Sequence, residues 1–417
     1  MATDWSYIDN NLLNPDFYAT QEYRDVFKVM RDEDPVHWTV DERYGKSYWA
    51  ITRYDDVKAV LSDHRQFSSR WHSRVPRTPK RLTPEERHAL VRDADLTAMD
   101  EPMHSLYRRP MNKHFSVPAV NRLHEFVDEV VDGIIRDVSV ASECDLVDDL
   151  AGELPMRVIL RMLGIPEEDW PMIREASWQF MAAADPRFTI DGDPIATSLH
   201  GQKRLLEYCG QLALERRRNP RDDFATAISR VEIDGDPLSL YEMQTWFFLV
   251  IFGGLETTRN TAATGLWLFM ENPDQRDKLI ADPSLVNGAV EEIVRWCTPS
   301  KNRLRIANED MDFGGKRIRA GDWVVVYQAS ANFDERAFDE PARFDIERNS
   351  EHLGFGIGNH LCIGRNLARL EMNSFFTKVL AAFPDMRRAD AGEPQWLRDA
   401  NATGFSEMRV AYTPKGN

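Results

Sequence analysis

The sequence predicts a mainly α-helical fold carrying small β-sheets, on three observations. An amphipathic helical pattern holds over residues 117–230, broken only at Gly164-Ile165-Pro166 and Asp185-Pro186. A capping-box signature, Ser239-Leu240-Tyr241-Glu242, then opens a helical pattern that lasts until Asn272-Pro273. That is about 30 residues, on the order of 45 Å, long enough to run through the molecule. The strand-like stretches are few and short, at 36–40, 47–52, 304–307 and 323–327.

Taken in order, residues 1–35 read as short helical pieces that end at Asp34-Pro35, and the first two strands flank a turn containing Gly45. A short helix follows over 54–61. Residues 67–100 are rich in arginine and proline (Arg70, Arg74, Pro76, Arg77, Pro79, Lys80, Arg81, Pro84) and too long for a simple connection, so a mobile functional loop is expected. The stretch 403–412 reads as a final hairpin with its tip, Phe405, near the functional pocket. An apolar fraction of 42% over 417 residues supports a large core. The net charge of −16 argues against nucleic-acid binding. Cys144, Cys209, Cys297 and Cys362 are scattered without metal-type spacing, which suits a reducing cytoplasm. Met1 to Tyr7 shows neither an apolar run nor a basic leader, and no stretch is long enough to cross a bilayer, so no membrane attachment is expected.

Four groups of residues carry chemistry. In His352-Leu-Gly-Phe-Gly-Ile-Gly-Asn-His-Leu-Cys362-Ile-Gly364, a cysteine sits between glycines that let the backbone approach a flat ligand closely. Helical spacing resumes right after it, so Cys362 is expected at a helix N-terminus, where amides and the dipole favour a thiolate. A thiolate so presented is a good ligand for haem iron. In the middle of the long helix lies Gly253-Gly254-Leu255-Glu256-Thr257-Thr258. Each glycine costs about 1 kcal/mol relative to alanine there, which calls for a reason. Room for a ligand against the backbone, a kink, or close helix packing would each supply one, and Glu256 and Thr257 add a carboxylate and a hydroxyl. His104 and Arg108 share one helix face. Glu292 and Arg295, three apart on another helix, can form an ion pair, which makes their burial tolerable.

Together these residues resemble the cytochromes P-450, the haem-thiolate monooxygenases, densely over 239–382 and more thinly back to residue 36. The resemblance implies a single mainly α domain over 1–417, with haem b between the long central helix and the cysteine-loop helix. It makes Cys362 the axial ligand, within the motif Phe355, Gly356, His360, Cys362, Gly364, with Ala368 beyond it. His104, Arg108, Arg305 and His360 would hold the haem propionates, and Gly253 would face the haem. Glu256 and Thr257 would handle protons and dioxygen. Glu292, Arg295 and a partner, Arg343, would form a structural ion-pair network. Leu249, Phe252, Lys301, Arg303 and Phe405 are the expected substrate contacts, with Lys301 and Arg303 sharing a strand face with Arg305. Those two cations would serve either the propionates or a polar substrate end. Trp178, Phe180, Met181 and Phe188 would line the pocket mouth, under a roof formed by the arginine- and proline-rich loop. The reaction implied is insertion of one oxygen atom from dioxygen into a C–H bond of a mid-sized, mostly apolar, terpenoid- or steroid-like molecule. Electrons would come from a ferredoxin and its NAD(P)H-dependent reductase, the enzyme being cytoplasmic and monomeric. A peroxide-driven peroxygenase and a non-catalytic haem sensor are the alternative readings.

Overall fold

The computed structural model describes residues 3–414 except 71–72, 74, 76–94, 182, 184, 350 and 391. Most of the arginine- and proline-rich stretch therefore lies outside the described residues. Six helices build the site: α1 Met103–Asn112, α2 Trp170–Met181, α3 Pro194–Arg218, α4 Leu240–Glu271, α5 Val286–Cys297 and α6 Arg365–Ala382.

The 32 residues of α4 begin and end where the sequence places them. Ser239 Oγ accepts from the Glu242 N–H, and Glu242 Oε2 accepts in return from the Ser239 N–H at 2.7 Å. This reciprocal pair satisfies two of the donors that every helix start leaves open. At the far end Pro273 opens a separate helix. Between these points α4 is apolar nearly all round, as a helix through a core must be. Trp246, Phe247 and Phe269 are fully buried in the largest apolar cluster, which also takes in residues of α3, α5 and α6.

The helix does not break at Gly253-Gly254. The two glycines divide the expected reasons between them. A Cβ on Gly254 would stand 2.8 Å from Ile159 Cδ1, so this glycine lets a neighbouring helix pack closely. A Cβ on Gly253 would meet nothing within 4 Å, because Gly253 borders open space.

Five strands form the main sheet: β1 Val36–Asp41, β2 Lys46–Ile51, β3 Phe67–Ser68, β4 Asn302–Ala307 and β5 Trp323–Tyr327, in the order β1-β2-β5-β4-β3. β1 and β2 form the expected hairpin, with Val36 opposite Ile51. β5 runs parallel to β2 and antiparallel to β4, pairing Val324 with Trp49 on one side and Arg305 on the other. The sheet thus fixes the register of β4, and with it the side from which Arg303 and Arg305 reach the site.

Candidate active site

Cys362 is held by a loop whose glycines are structurally required. Gly356 and Gly358 have φ of +71° and +72°, in the left-handed region that a side chain disfavours. Gly358 also passes so close to Leu61 that a Cβ would lie 2.8 Å from the Leu61 carbonyl oxygen. The Cys362 N–H donates to Phe355 O at 2.9 Å, which closes the loop, and Gly364 caps α6. The thiol therefore stands just before a helix N-terminus, as expected. Burial pushes it above the ordinary thiol range, opposed by the Gly364 amide and the cations Arg108, Arg303 and Arg365.

A cavity of about 1280 Å³ lies between this loop and α4. Phe355, Gly356, Cys362, Gly364 and Ala368 line one side, and Leu249, Phe252, Gly253, Glu256 and Thr257 line the other. Thr257 Oγ1 donates to Gly253 O at 2.9 Å, which fixes its rotamer and leaves its lone pairs as acceptors. Glu256 is only 5% exposed, and its charge acts on Arg259 and Lys301.

His104, Arg108, Arg303, Arg305 and His360 meet at one edge of the cavity. The imidazoles of His104 and His360 lie 4.1 Å apart. Arg108 Nη1 donates to Asn359 O at 3.1 Å, and Arg305 Nη1 to Leu304 O at 2.9 Å. Burial depresses Arg305 to about 10, opposed by the charge of Asp100. Burial, then Arg305, His104 and Arg108, drive His360 down to about 2. Among the described residues, the guanidinium groups of Arg108, Arg303 and Arg305 and two imidazoles gather here as hydrogen-bond donors, an arrangement that suits an anion.

Three expectations need correction. Lys301 does not face the cavity. β4 begins only at Asn302, so the alternation that aims Arg303 and Arg305 does not extend back to it. Its Nζ instead donates to the Asp399 carbonyl at 2.9 Å and to that of Ala402, above the rings of Tyr18 and Tyr23. Burial in this cage lowers the amine to about 7. Phe405 is fully buried against Trp267 and Trp396, and the next two residues, Ser406 and Glu407, line the cavity in its place. Arg343 is exposed and pairs with Glu340 and Asp345. The third member of the ion-pair network is Arg348, whose Nε donates to Glu292 Oε1 at 3.1 Å while its other nitrogens cap the carbonyls of Asp339, Glu340 and Arg343.

Glu292 and Arg295 form the expected pair, bidentate at 2.7 and 2.8 Å and fully buried. At the mouth, Phe180 and Met181 line the cavity, whereas Trp178 and Phe188 stack on each other at 5.5 Å outside it. Among the cavity residues that escaped the sequence reading, two carry polar side chains that matter here, Glu371 and Gln202. Glu371 is lifted to about 8 by burial, with Oε2 unpartnered, and no spacing marks it. Gln202 lies on the helical stripe Ile195, Ser198, Leu199, Gln202, a pattern readable only once that face is known to line a pocket.

The family model described as Cytochrome P450 matches residues 202–385. A steroid C26-monooxygenase of Rhodococcus jostii is 34% identical over 406 residues, covering 96% of this chain and 84% of that protein. A second steroid C26-monooxygenase, from Mycolicibacterium smegmatis, is 32% identical and covers all of this chain and 95% of its own. Among solved structures, a Mycobacterium marinum cytochrome P450 in complex with pseudoionone superposes with a TM-score of 0.89 at 31% identity, covering 97% and 98% of the two chains.

Fold and site thus define a haem-thiolate enzyme. The chain belongs to the cytochrome P450 family, and its activity is that of a monooxygenase. The residues present fit haem: Gly364 on one side of the cavity and Gly253 on the other, where added Cβ atoms would meet nothing, a thiol at its floor, and a set of guanidinium and imidazole donors suited to two propionates. Among the described residues, no helix is long and apolar enough to cross a membrane.

Proposed function

We propose that this enzyme inserts one oxygen atom from dioxygen into a C–H bond of a mid-sized, mostly apolar molecule of the steroid or terpenoid class, with Cys362 as the haem ligand. The observation that carries this reading is that Cys362 and the Glu256–Thr257 pair face one another across one cavity. When bound, haem supplies dioxygen activation and C–H oxidation, with thiolate ligation favouring O–O cleavage. His104, Arg108, Arg305 and His360 would hold its propionates. Thr257 Oγ1, with its own proton committed to Gly253 O, accepts a hydrogen bond from water and keeps that water in the cavity. The Glu256 carboxyl supplies protons to this water from its buried position. Phe252, Leu249 and Phe180 hold an apolar body and exclude bulk solvent.

The substrate class rests on the relatives named for steroids and on solved relatives holding pseudoionone or, at 26% identity, testosterone. Electrons come from a ferredoxin. Arg109 on α1 and Lys113 just past its end are exposed, with Arg365 half-buried beside Cys362, and this cationic rim suits an acidic partner. We place the enzyme in the cytoplasm, where its four free cysteines stay reduced, as one domain over 1–417. The test supplies ferredoxin, reductase, NADH, a steroid or terpenoid that shifts the haem spectrum, and isotopically labelled dioxygen. One labelled oxygen per product molecule is expected, and an unlabelled product overturns the reading.

A further inference from the structure

We propose that Gln202 is a specificity-determining residue that binds a neutral oxygen, a ketone or hydroxyl, at the end of the substrate remote from the oxidised carbon. This inference rests on the substrate reading above and adds to it the residue and the functional group.

Ile195, Ser198, Leu199 and Gln202 all line the cavity from α3, at the i, i+3, i+4, i+7 spacing of one helix face. Exposure falls along this stripe, from 60% at Ile195 and 48% at Leu199 to 8% at Gln202. The stripe therefore runs inward from the mouth, and Gln202 is its inner end. Its position is fixed by its neighbour: a Cβ on Gly201 would lie 2.5 Å from Ala176 O and 2.7 Å from Phe180 N, so α3 presses directly on the backbone of α2.

The cavity wall contributed here by α2 and α4 is aromatic. The ring of Phe180 lies 5.1 Å from that of Phe248 and 5.2 Å from that of Phe252. The nearby hydroxyls have already committed their protons, Ser198 to Phe180 O at 3.1 Å and Thr245 to Tyr241 O at 2.9 Å, so neither donates to a ketone. The Gln202 amide, nine-tenths buried, makes no hydrogen bond to any described residue. Buried polar groups are satisfied as a rule, so an unpartnered amide on an apolar cavity wall marks where a ligand's polar group belongs. An amide both donates and accepts but carries no charge, which matches a ketone or hydroxyl better than a carboxylate. Among the described residues at this end, Arg187 is occupied by Asp185 at 2.8 Å and by Ser406 O, and Arg398 by Asp16 at 2.8 Å.

The test is a set of spin-state titrations of the haem-loaded enzyme with androstan-3-one, androstan-3-ol and androstane, alongside β-ionone and its deoxygenated hydrocarbon. Wild type, Gln202→Leu and the volume-matched Gln202→Met are compared, each first shown to retain the carbon monoxide spectrum. The oxygenated member of each set is expected to bind wild type about tenfold more tightly, the scale of one neutral hydrogen bond. Both variants should lose that preference while hydrocarbon affinity holds. A preference that survives in both variants, or one absent from wild type in both sets, overturns the proposal. If only the ionone set binds, with a preference that depends on Gln202, the proposal stands and the steroid reading falls.

Discussion

At the scale of single residues, the buried Glu292 shows how tertiary contact decides roles that spacing cannot. Its carboxylate takes Arg295 bidentately and Arg348 at 3.1 Å, while Arg343 makes only exposed pairs. Removing one partner of a buried charge costs about 3–5 kcal/mol, whereas exposed pairs are worth about 0–1 kcal/mol. Arg348→Leu should therefore lower the chemical-denaturation midpoint sharply, and Arg343→Ala should barely move it. The reverse ranking would return Arg343 to the network. Thr257 makes a prediction of a different kind. On the proposed role, removing its hydroxyl takes from the cavity the acceptor that would order water beside Glu256. Thr257→Ala should keep haem and substrate affinity yet lose several-fold in product formed per NADH, with hydrogen peroxide rising to match. Unchanged coupling would remove Thr257 from proton delivery.

At the scale of elements, α4 and the cysteine loop were legible because their signals are local. A capping box, a proline stop and a glycine pattern within thirteen residues each act through neighbours in sequence. What stayed hidden depends on where distant chain segments meet. Lys301 looked like a pocket cation because 301, 303 and 305 alternate, but the Ser300–Ala402 bridge and the carbonyls of Asp399 and Ala402 claim it first. Phe405 stands one residue before the stretch Ser406-Glu407 that lines the cavity. Slips of one residue suffice for such errors, since they exchange the faces of a strand. The glycine pair of α4 gives a direct test at this scale. Gly254→Ala drives a Cβ against Ile159 and should destabilise by about 1–3 kcal/mol, as overpacking does. Gly253→Ala meets no atom and should leave the melting temperature equal or higher, while its methyl group reduces cavity space and weakens ligand binding. Equal stability effects at both positions would contradict the division of roles.

At the scale of the whole molecule, charge governs stability and partner. Burial lowers Lys301 to about 7 in the folded chain, against an ordinary value of 10.5. Between these values the unfolded chain binds a proton that the folded chain does not, so stability from this group rises with pH from about 7 toward about 10.5. Below pH 7 its full penalty applies. Unfolding free energies of Lys301→Met relative to wild type should show this slope removed, and parallel pH curves would contradict it. The molecule as a whole carries a charge of −16, yet α1 and the residue that caps it present exposed Arg109 and Lys113 near the cysteine loop. Reduction by an acidic ferredoxin should slow as salt screens this patch, and more so for Arg109→Glu. A rate indifferent to salt would leave docking without an electrostatic part.

All of these arguments meet at the thiol of Cys362, set by Gly356 and Gly358 at the floor of the cavity and opposed across it by Glu256 and Thr257. The carbon monoxide spectrum of the reduced, haem-loaded protein tests that arrangement most directly, because the strongly red-shifted Soret band requires a thiolate ligand. Wild type should show the band, and Cys362→Ala, loaded with haem to the same extent, should lack it. Persistence of the band in Cys362→Ala, or its absence from wild type, would contradict the account.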